Sequence, residues 1–136
     1  AESVWFFYDT EKMIPVRVMP EDVEAYGEGE ALDLGKAPRK IAVPENYEEE
    51  TPVTIAVHHL DTNHHVNNAQ YVDIAREAVT CTKKVKEIRV DYKKAAVLGE
   101  VLIPRVTKTG EDEWTIVLAG EDKEIRAVVW LKYEEA

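Results

Sequence analysis

The alternation of hydrophobic and polar positions predicts a mixed α+β fold with one main helix. After Asn68, apolar residues recur three and four positions apart, which is typical of a helix with one buried face. Asn67 or Asn68 suits the N-cap of this helix, because an Asn side chain accepts a hydrogen bond from a free backbone N–H. Runs with strand character are Thr54–Leu60, Val85–Ala96, Glu100–Thr109, Glu113–Leu118 and Ile125–Tyr133. A long antiparallel sheet wrapped around the helix is the simplest arrangement that buries it.

The first part of the chain has shorter patterns. Ser3–Tyr8 and Ile14–Met19 are aromatic and β-branched runs on either side of a polar turn, which predicts a hairpin. Pro20–Tyr26 predicts a short helix, since proline opens it, acidic residues follow and a glycine comes directly after it. The next segment contains glycines and prolines with little periodicity. We expect it to be an irregular connector with at most one short strand, near Lys40–Val43.

Composition narrows the class of protein. The 136 residues suit one ordinary domain, and 17 basic against 27 acidic residues give a net charge of −10. This charge argues against a general nucleic-acid or anionic-membrane binder. No apolar run approaches the roughly 20 residues of a membrane span, and no leader opens the chain. The single cysteine, Cys81, excludes an intramolecular disulfide and a cysteine-built zinc site, and it favours a reducing compartment such as the cytoplasm.

The charge is unevenly distributed. The segment from Lys83 to Lys94 has six basic and two acidic residues, a local net charge of +4 in an acidic protein. Lysines on a solvated strand can protect a sheet edge from pairing with other chains. Alternatively, Lys83, Lys84 and Lys86 form a docking patch for an acidic partner. The charges alone leave both interpretations open.

The most unusual feature is a cluster of histidines at the predicted strand-to-helix junction. All four histidines of the chain lie within eight residues, in the segment HHLDTNHHVNN that begins at His58. Its Asp and Asn residues are also ordinary turn and capping residues, so a purely structural role is one interpretation. A metal site is a second, but adjacent histidines in a strand point to opposite faces, and no distant cysteine or histidine completes the ligand set. We therefore expect no metal and no cofactor.

The third interpretation is an acid–base site at the N-terminus of the helix. This end offers free backbone N–H groups and partial positive charge, which stabilise negative charge developing on a carbonyl oxygen. Asp61, Asn63 and His65 alternate, so an extended segment would project all three to one side. A carboxylate, an amide and an imidazole suit attack, orientation and proton transfer, as in the hydrolysis of an activated acyl group.

The motif also resembles a known family. The sequence from Leu60 through Asp61-x-Asn63-x-His65-Val66-Asn67-Asn68-x-x-Tyr71 is similar to the signature of the acyl-ACP thioesterases, which release fatty acids from acyl carrier protein. The resemblance continues through Val90-Asp91-Tyr92-Lys93-Lys94 and Gly99-Glu100. It implies a hotdog fold, in which a long central helix is wrapped by an antiparallel sheet, with two such units in one chain. Residues 51–136 would be the C-terminal unit, and residues 1–50 the last strands and linker of a preceding unit.

The resemblance also implies roles for the motif residues. Asp61 would be the nucleophile or general base, with Asn63 and His65 orienting it and the thioester. Asn67, Asn68 and Tyr71 would shape the start of the helix and contact the substrate. The partner would be acyl carrier protein, which is acidic and would dock on the lysine patch. An open sheet edge further predicts a homodimer or pairing with an N-terminal hotdog unit.

The chain departs from the family at one position that matters for chemistry. Family members have a Glu directly after the Tyr-basic-basic triplet, whereas this chain has Ala95 and Ala96 there. The carboxylate thought to activate water is therefore absent from that place. This favours an alternative hypothesis, a non-catalytic hotdog module that binds acyl-ACP or an acyl ligand. A metal-dependent hydrolase or dehydratase is a third hypothesis.

Overall fold

The computed structural model describes residues 2–35 and 40–135, and these two ranges form two separate compact units. Residues 36–39 of the predicted connector lie outside the described residues. Among the helices described, none is long and apolar enough to cross a lipid bilayer.

The first unit has the predicted hairpin and short helix. Strands β1 (Phe7–Asp9) and β2 (Ile14–Val16) pair antiparallel, and helix α1 spans Pro20–Tyr26. The Asp9 carboxylate accepts hydrogen bonds from the two backbone N–H groups of Glu11 and Lys12, at 3.0 and 2.9 Å. An aspartate that caps its own turn in this way explains why the chain reverses between the two strands.

The second unit is an antiparallel sheet packed against one helix, which confirms the α+β prediction. Its elements are β3 (Glu48–Glu49), β4 (Val53–Thr54), a 3₁₀ helix (Val57–His59), α2 (Asn68–Val79), β5 (Val85–Tyr92), β6 (Val101–Gly110), β7 (Glu113–Gly120) and β8 (Ile125–Tyr133). The sheet order is β3-β6-β7-β8-β5, with β4 also pairing with β6. Helix α2 has 12 residues, so it is shorter than the long helix that the family resemblance implies.

The core lies between α2 and the sheet. Tyr71, Ile74 and Ala75 are the buried residues of the helix, and their spacing is the one the apolar pattern predicts. They cluster with buried side chains from the sheet, which are Leu102, Ile116, Leu118, Ala127, Val129, Leu131 and Tyr133. The face of α2 toward the core is thereby fixed, and the first turn of the helix is placed beside β5 and the segment that follows it.

The predicted strand over Thr54–Leu60 is wrong for most of its length. Only Val53–Thr54 pairs with the sheet, and a turn of 3₁₀ helix follows. In that turn the His59 imidazole Nδ1 accepts a hydrogen bond from the backbone N–H of Ala56 at 2.9 Å. A side chain that takes a backbone donor in this way competes with strand pairing, and the alternation of apolar residues does not show it.

Of the two other strands considered, the optional one is absent and the other is shorter than predicted. Lys40–Val43 forms no strand, although the Ile41 N–H donates to the Asp91 carboxylate at 2.7 Å. The strand predicted over Val85–Ala96 ends at Tyr92. Beyond it, the backbone N–H groups of Lys93 and Lys94 both turn to the Arg126 carbonyl, at 2.9 and 3.2 Å, so the chain leaves the regular ladder there.

Candidate active site

The segment that connects the 3₁₀ helix to α2 folds as a tight loop around one carboxylate. Asp61 Oδ1 accepts hydrogen bonds from the backbone N–H groups of Asn63 at 2.8 Å and His65 at 3.3 Å. The Asp61 N–H donates to the His65 carbonyl at 2.8 Å, which closes the loop. Within the described residues, no donor is bonded to the other oxygen, Oδ2. The loop, which we call the acid loop (residues 61–65), therefore holds the carboxylate in place and leaves one oxygen free.

This loop is a turn, so the expectation of an extended segment is wrong. His64 lies in the left-handed region with φ of 60°, which reverses the chain between Asn63 and His65. In an extended segment the side chains of Asp61, Asn63 and His65 would project to one side, but in a turn they do not. The Asn63 side chain is exposed, and only its backbone N–H contacts Asp61.

A cavity of about 210 Å³ opens beside the acid loop. We call it the Asp61 cavity. It is lined by Asp61, His65, Val66, Asn68, Tyr71, Tyr92, Lys93, Lys94, Ala95 and Arg126. Of the candidate catalytic and substrate-binding residues, Asp61, His65, Asn68 and Tyr71 line it, whereas Asn63 and Asn67 do not. The cavity therefore brings together four of the six candidate residues of the motif.

Asn67 and Asn68 have different roles at the start of α2. Asn67 is the N-cap, and its side-chain oxygen accepts from the Ala69 N–H at 3.0 Å. Its backbone carbonyl accepts from the Gln70 N–H at 2.9 Å. The Asn68 N–H has no acceptor among the residues described, and Asn68 lines the cavity. The first turn of the helix therefore leaves the Asn68 N–H without an intrahelical partner, as is usual at a helix N-terminus.

Tyr71 and Tyr92 connect the first turn of α2 to the opposite wall of the cavity. The buried Tyr71 hydroxyl accepts from the Ala96 N–H at 2.9 Å, and the exposed Tyr92 hydroxyl donates to the Asn68 carbonyl at 3.1 Å. Their rings meet edge to face with centroids 5.7 Å apart, a favourable geometry for aromatic pairs. Burial raises the pKa of both phenols above the usual value, so both stay neutral near pH 7.

Ala95, at the position where the family resemblance implies a Glu, lines the cavity. Ala96 is fully buried and belongs to the core cluster. Its carbonyl accepts from the Val66 N–H at 2.9 Å, and Val97 forms an isolated bridge with His65. The chain after β5 is thus bonded directly to the end of the acid loop. Among the described residues, Asp61 is the one carboxylate in the lining of this cavity.

A second, larger cavity of about 630 Å³ lies along the rest of α2. We call it the His58–His59 cavity, and its lining includes both histidines with Asp73, Arg76, Glu77 and Cys81. The two imidazole centroids are 4.0 Å apart, because the residues lie in a 3₁₀ helix and not in a strand with opposed faces. Burial and the neighbouring His58 lower the pKa of His59 below the usual 6.5. Within the described residues, no group of three His, Cys, Asp or Glu side chains is placed to hold a metal ion.

The lysines of the predicted docking patch are all exposed. Lys83 Nζ donates to the Asp112 carboxylate at 2.6 Å, and this hydrogen bond raises the pKa of the lysine. Lys84 and Lys86 form no ion pair in the part of the chain that the structure describes. The charge of Lys83 is therefore neutralised by Asp112, whereas the described residues provide no such partner for Lys84 and Lys86.

Arg126 and Tyr92 line the Asp61 cavity but were not among the predicted site residues. Arg126 is the one basic residue inside the run from Ile125 to Trp130, which is otherwise apolar. A cation in a strand whose neighbours are buried is itself a signal, because such a charge needs partners. Tyr92 carries no comparable signal, since an aromatic residue at a strand end is common.

The solved structures to which this chain is similar in fold include acyl-ACP thioesterases. An acyl-ACP thioesterase from Bacteroides thetaiotaomicron superposes with a TM-score of 0.78 at 17% identity, covering 93% of this chain and 53% of that one. A 12:0-ACP thioesterase from Umbellularia californica gives a TM-score of 0.73 at 17% identity, covering 93% and 52%. The chain thus spans about half the length of these structures. No curated protein sequence matches it.

The family assignment comes from the sequence itself. The family model for the acyl-ACP thioesterase C-terminal domain matches residues 43–130, which is more than half of the chain. The match includes the acid loop, helix α2 and most of the sheet. The chain therefore belongs to the acyl-ACP thioesterase family.

Proposed function

We propose that this protein hydrolyses the thioester between a fatty acyl chain and acyl carrier protein, releasing a free fatty acid. The observation that supports it best is the Asp61 cavity, where a fixed carboxylate, an imidazole and a free helix N-terminal amide share one lining. Those are the groups that acyl transfer from a thioester requires. Family membership and the thioesterases of similar fold favour the same class of reaction.

The proposed mechanism starts from Asp61. Its Oδ1 is held by two backbone N–H groups, so Oδ2 is the oxygen that attacks the carbonyl carbon or removes a proton from the attacking water. The oxyanion forms beside the Asn68 N–H, where the helix dipole stabilises it. The C–S bond then breaks, and the leaving thiolate takes a proton that His65 supplies. If Asp61 acts as the base, the proton it took from water replaces the one that His65 gave up. If Asp61 attacks directly, water then hydrolyses the acyl–Asp61 anhydride, which releases the fatty acid and restores the carboxylate. Asn63 orients the carboxylate through its backbone, while Asn67 fixes the helix start and Tyr71 the cavity wall.

Acyl carrier protein is the proposed partner, docked on Lys83, Lys84 and Lys86. Because Lys83 is already paired with Asp112, we expect Lys84 and Lys86 to contribute most. The variant K84E/K86E should raise the KM for acyl-ACP at least about five-fold and leave the KM for acyl-CoA within two-fold, since the carrier presents an extended acidic surface, whereas CoA has only its phosphates. The matched control is K108E, also a charge reversal on an exposed strand lysine. An equal effect on both substrates would rule out docking at this patch.

The unit organisation is part of the proposal. Residues 51–136 would form a hotdog unit, and residues 1–50 the terminal strands and linker of a preceding one, in a cytoplasmic enzyme of fatty acid biosynthesis. β5 ends the sheet, and Ile88 on it is 45% exposed, so this edge suits a homodimer or an N-terminal hotdog unit. Light scattering after size-exclusion chromatography should give the mass of a dimer at micromolar concentration. A monomer would exclude self-pairing.

A non-catalytic acyl-ACP-binding module is the second candidate, and Ala95 is the observation that favours it. The deciding experiment is a time course of free thiol release from acyl-ACP, measured beside the stoichiometry of binding. We expect many thiols released per chain. Binding of one acyl-ACP per chain with no more than one thiol released would overturn hydrolysis in favour of the binding module.

A further inference from the structure

Arg126 is a buried cation next to the Asp61 cavity. Its side chain is only 3% exposed, and its Nη2 donates to Glu100 Oε1 at 3.1 Å and to Asp122 Oδ2 at 2.9 Å. Nε also donates to Glu100 Oε2 at 3.4 Å, and Nη1 to Asp122 Oδ1 at 3.1 Å and the Glu124 carbonyl at 3.0 Å. A guanidinium with two carboxylates in this fork geometry is strongly held in place.

Arg126 is linked to both ends of the segment Lys93–Val97, which we call the wall segment: directly at its start and through Glu100 at its end. At the start of this segment, its carbonyl accepts the backbone N–H groups of Lys93 and Lys94. At the end, its guanidinium holds Glu100, whose Oε2 accepts the Val97 N–H at 3.2 Å. One residue of β8 thus fixes a stretch of chain that has left the sheet.

The middle of the wall segment contacts the acid-loop side of the cavity. The Ala96 N–H donates to the Tyr71 hydroxyl, and the Ala96 carbonyl accepts from the Val66 N–H, both at 2.9 Å. Val97 forms the isolated bridge with His65. A displacement of this segment would therefore move the residues that flank His65 and change the width of the cavity.

The two carboxylates around Arg126 differ in what else they contact. Glu100 is bonded to the wall segment through the Val97 N–H. Asp122 is bonded to its own turn through the Glu124 N–H at 3.0 Å, and its only link to the wall is the exposed Lys94 ammonium at 3.9 Å. Gly120 makes room for this turn, because a Cβ there would lie 2.6 Å from Asp122 Oδ1 and 2.8 Å from Arg126 Nη2. Arg126 lowers the pKa of both carboxyls, that of Asp122 to about 2, so both are ionised at neutral pH.

We propose that Arg126 and Glu100 are positioning residues that hold the wall segment against the acid loop and so set the shape of the Asp61 cavity for the reacting thioester. The expected effect on kcat rests on the proposed function, because it requires turnover of a thioester. Its structural consequence, an ordered wall segment, is independent of any activity.

The test compares E100Q with D122N. Each variant replaces one carboxylate of Arg126 with an amide of the same shape, but of the two only Glu100 is bonded to the backbone of the wall segment. We expect E100Q to lower kcat about ten-fold with KM within three-fold, because small displacements of reacting groups cost large factors in rate. D122N should leave both constants within about two-fold, although both variants lose a charge-assisted pair and melt at lower temperature.

Amide hydrogen exchange provides the readout that does not need turnover. Exchange at Ala96 and Val97 should be at least about ten-fold faster in E100Q than in D122N, because of the two carboxylates only Glu100 accepts a backbone N–H of this segment. E100D, which keeps the charge on a shorter arm, is the replacement if E100Q does not fold. Equal exchange in the two variants would overturn the proposal. If the wild-type chain shows no turnover, the proposed function fails, and the exchange comparison still decides the role of Glu100 and Arg126.

Discussion

Two cavities lie along helix α2, and both contain histidine and carboxylate side chains. The Asp61 cavity is the smaller, at about 210 Å³ against about 630 Å³, yet it is the one at the helix N-terminus. Its carboxylate is fixed by two backbone N–H groups, whereas the carboxylates of Asp73 and Glu77 in the His58–His59 cavity are exposed and accept no hydrogen bond from the described residues. The presence of histidine and carboxylate side chains alone therefore does not define a catalytic site. A free helix amide and an immobilised carboxylate distinguish the first cavity.

The largest expected difference between the cavities is in catalysis. Asp61→Asn should lower kcat for acyl-ACP by at least about 100-fold, since the carboxylate attacks or removes the proton in the rate-determining chemistry. Asp73→Asn makes the same change in the other cavity and should leave kcat within about two-fold. Steady-state thiol release measures both. If the two variants lose activity equally, the distinction between the cavities is wrong.

The contribution of the Asp61 cavity to stability is the next expected effect. Tyr71→Phe removes the hydroxyl that accepts the buried Ala96 N–H, so we expect unfolding free energy to fall by about 1–3 kcal/mol. Tyr92→Phe removes the hydroxyl of a half-exposed ring whose acceptor, the Asn68 carbonyl, can turn to water, and should cost less than about 1 kcal/mol. Urea denaturation measures both. A larger loss in Tyr92→Phe would contradict this account of the wall.

The smallest expected effect is on the pH dependence of stability, through His59 in the His58–His59 cavity. The pKa of His59 lies below its usual 6.5 because the imidazole is buried beside His58, although Glu77 acts in the opposite direction. The unfolded chain therefore binds the proton more readily, so stability should be complete above about pH 6.5 and decline as the pH falls below it. His59→Asn keeps an acceptor near the Ala56 N–H and should flatten this decline between pH 7 and 5.

His64→Asn is the control for this prediction, because His64 is exposed in the acid loop and Asn tolerates its positive φ. Its stability should decline with falling pH as steeply as that of the wild type. A His59→Asn curve parallel to the wild type would show that His59 does not contribute to the pH dependence.

Sequence patterns predicted the structural elements that are determined by interactions between residues close in the chain. The N-cap at Asn67, the buried stripe of α2 and the strands β6 to β8 each depend on residues close to one another in the chain. The strand at Thr54–Leu60 failed because the His59 side chain takes the Ala56 N–H, a choice that apolar alternation does not record.

The site was predicted in part for the same reason. Asp61 and His65 are close in sequence and meet in one cavity, but the turn at His64 separates the Asn63 side chain from them. Arg126 was missed because its partner Glu100 lies 26 residues away, and the wall segment it fixes lies on a different element. Contacts of that kind are set by sheet register, which a single sequence does not specify.

The proposal that a thioester binds in the Asp61 cavity is tested most directly by mapping its binding site. We propose to titrate the ¹⁵N-labelled chain with a non-hydrolysable thioether analogue of acyl-pantetheine and to follow the backbone amides by NMR. The account predicts the largest shift at the Asn68 amide, with shifts at His65 and Ala96 and none at His58 or Thr80. Shifts centred on the His58–His59 cavity, with the Asn68 amide unchanged, would contradict it.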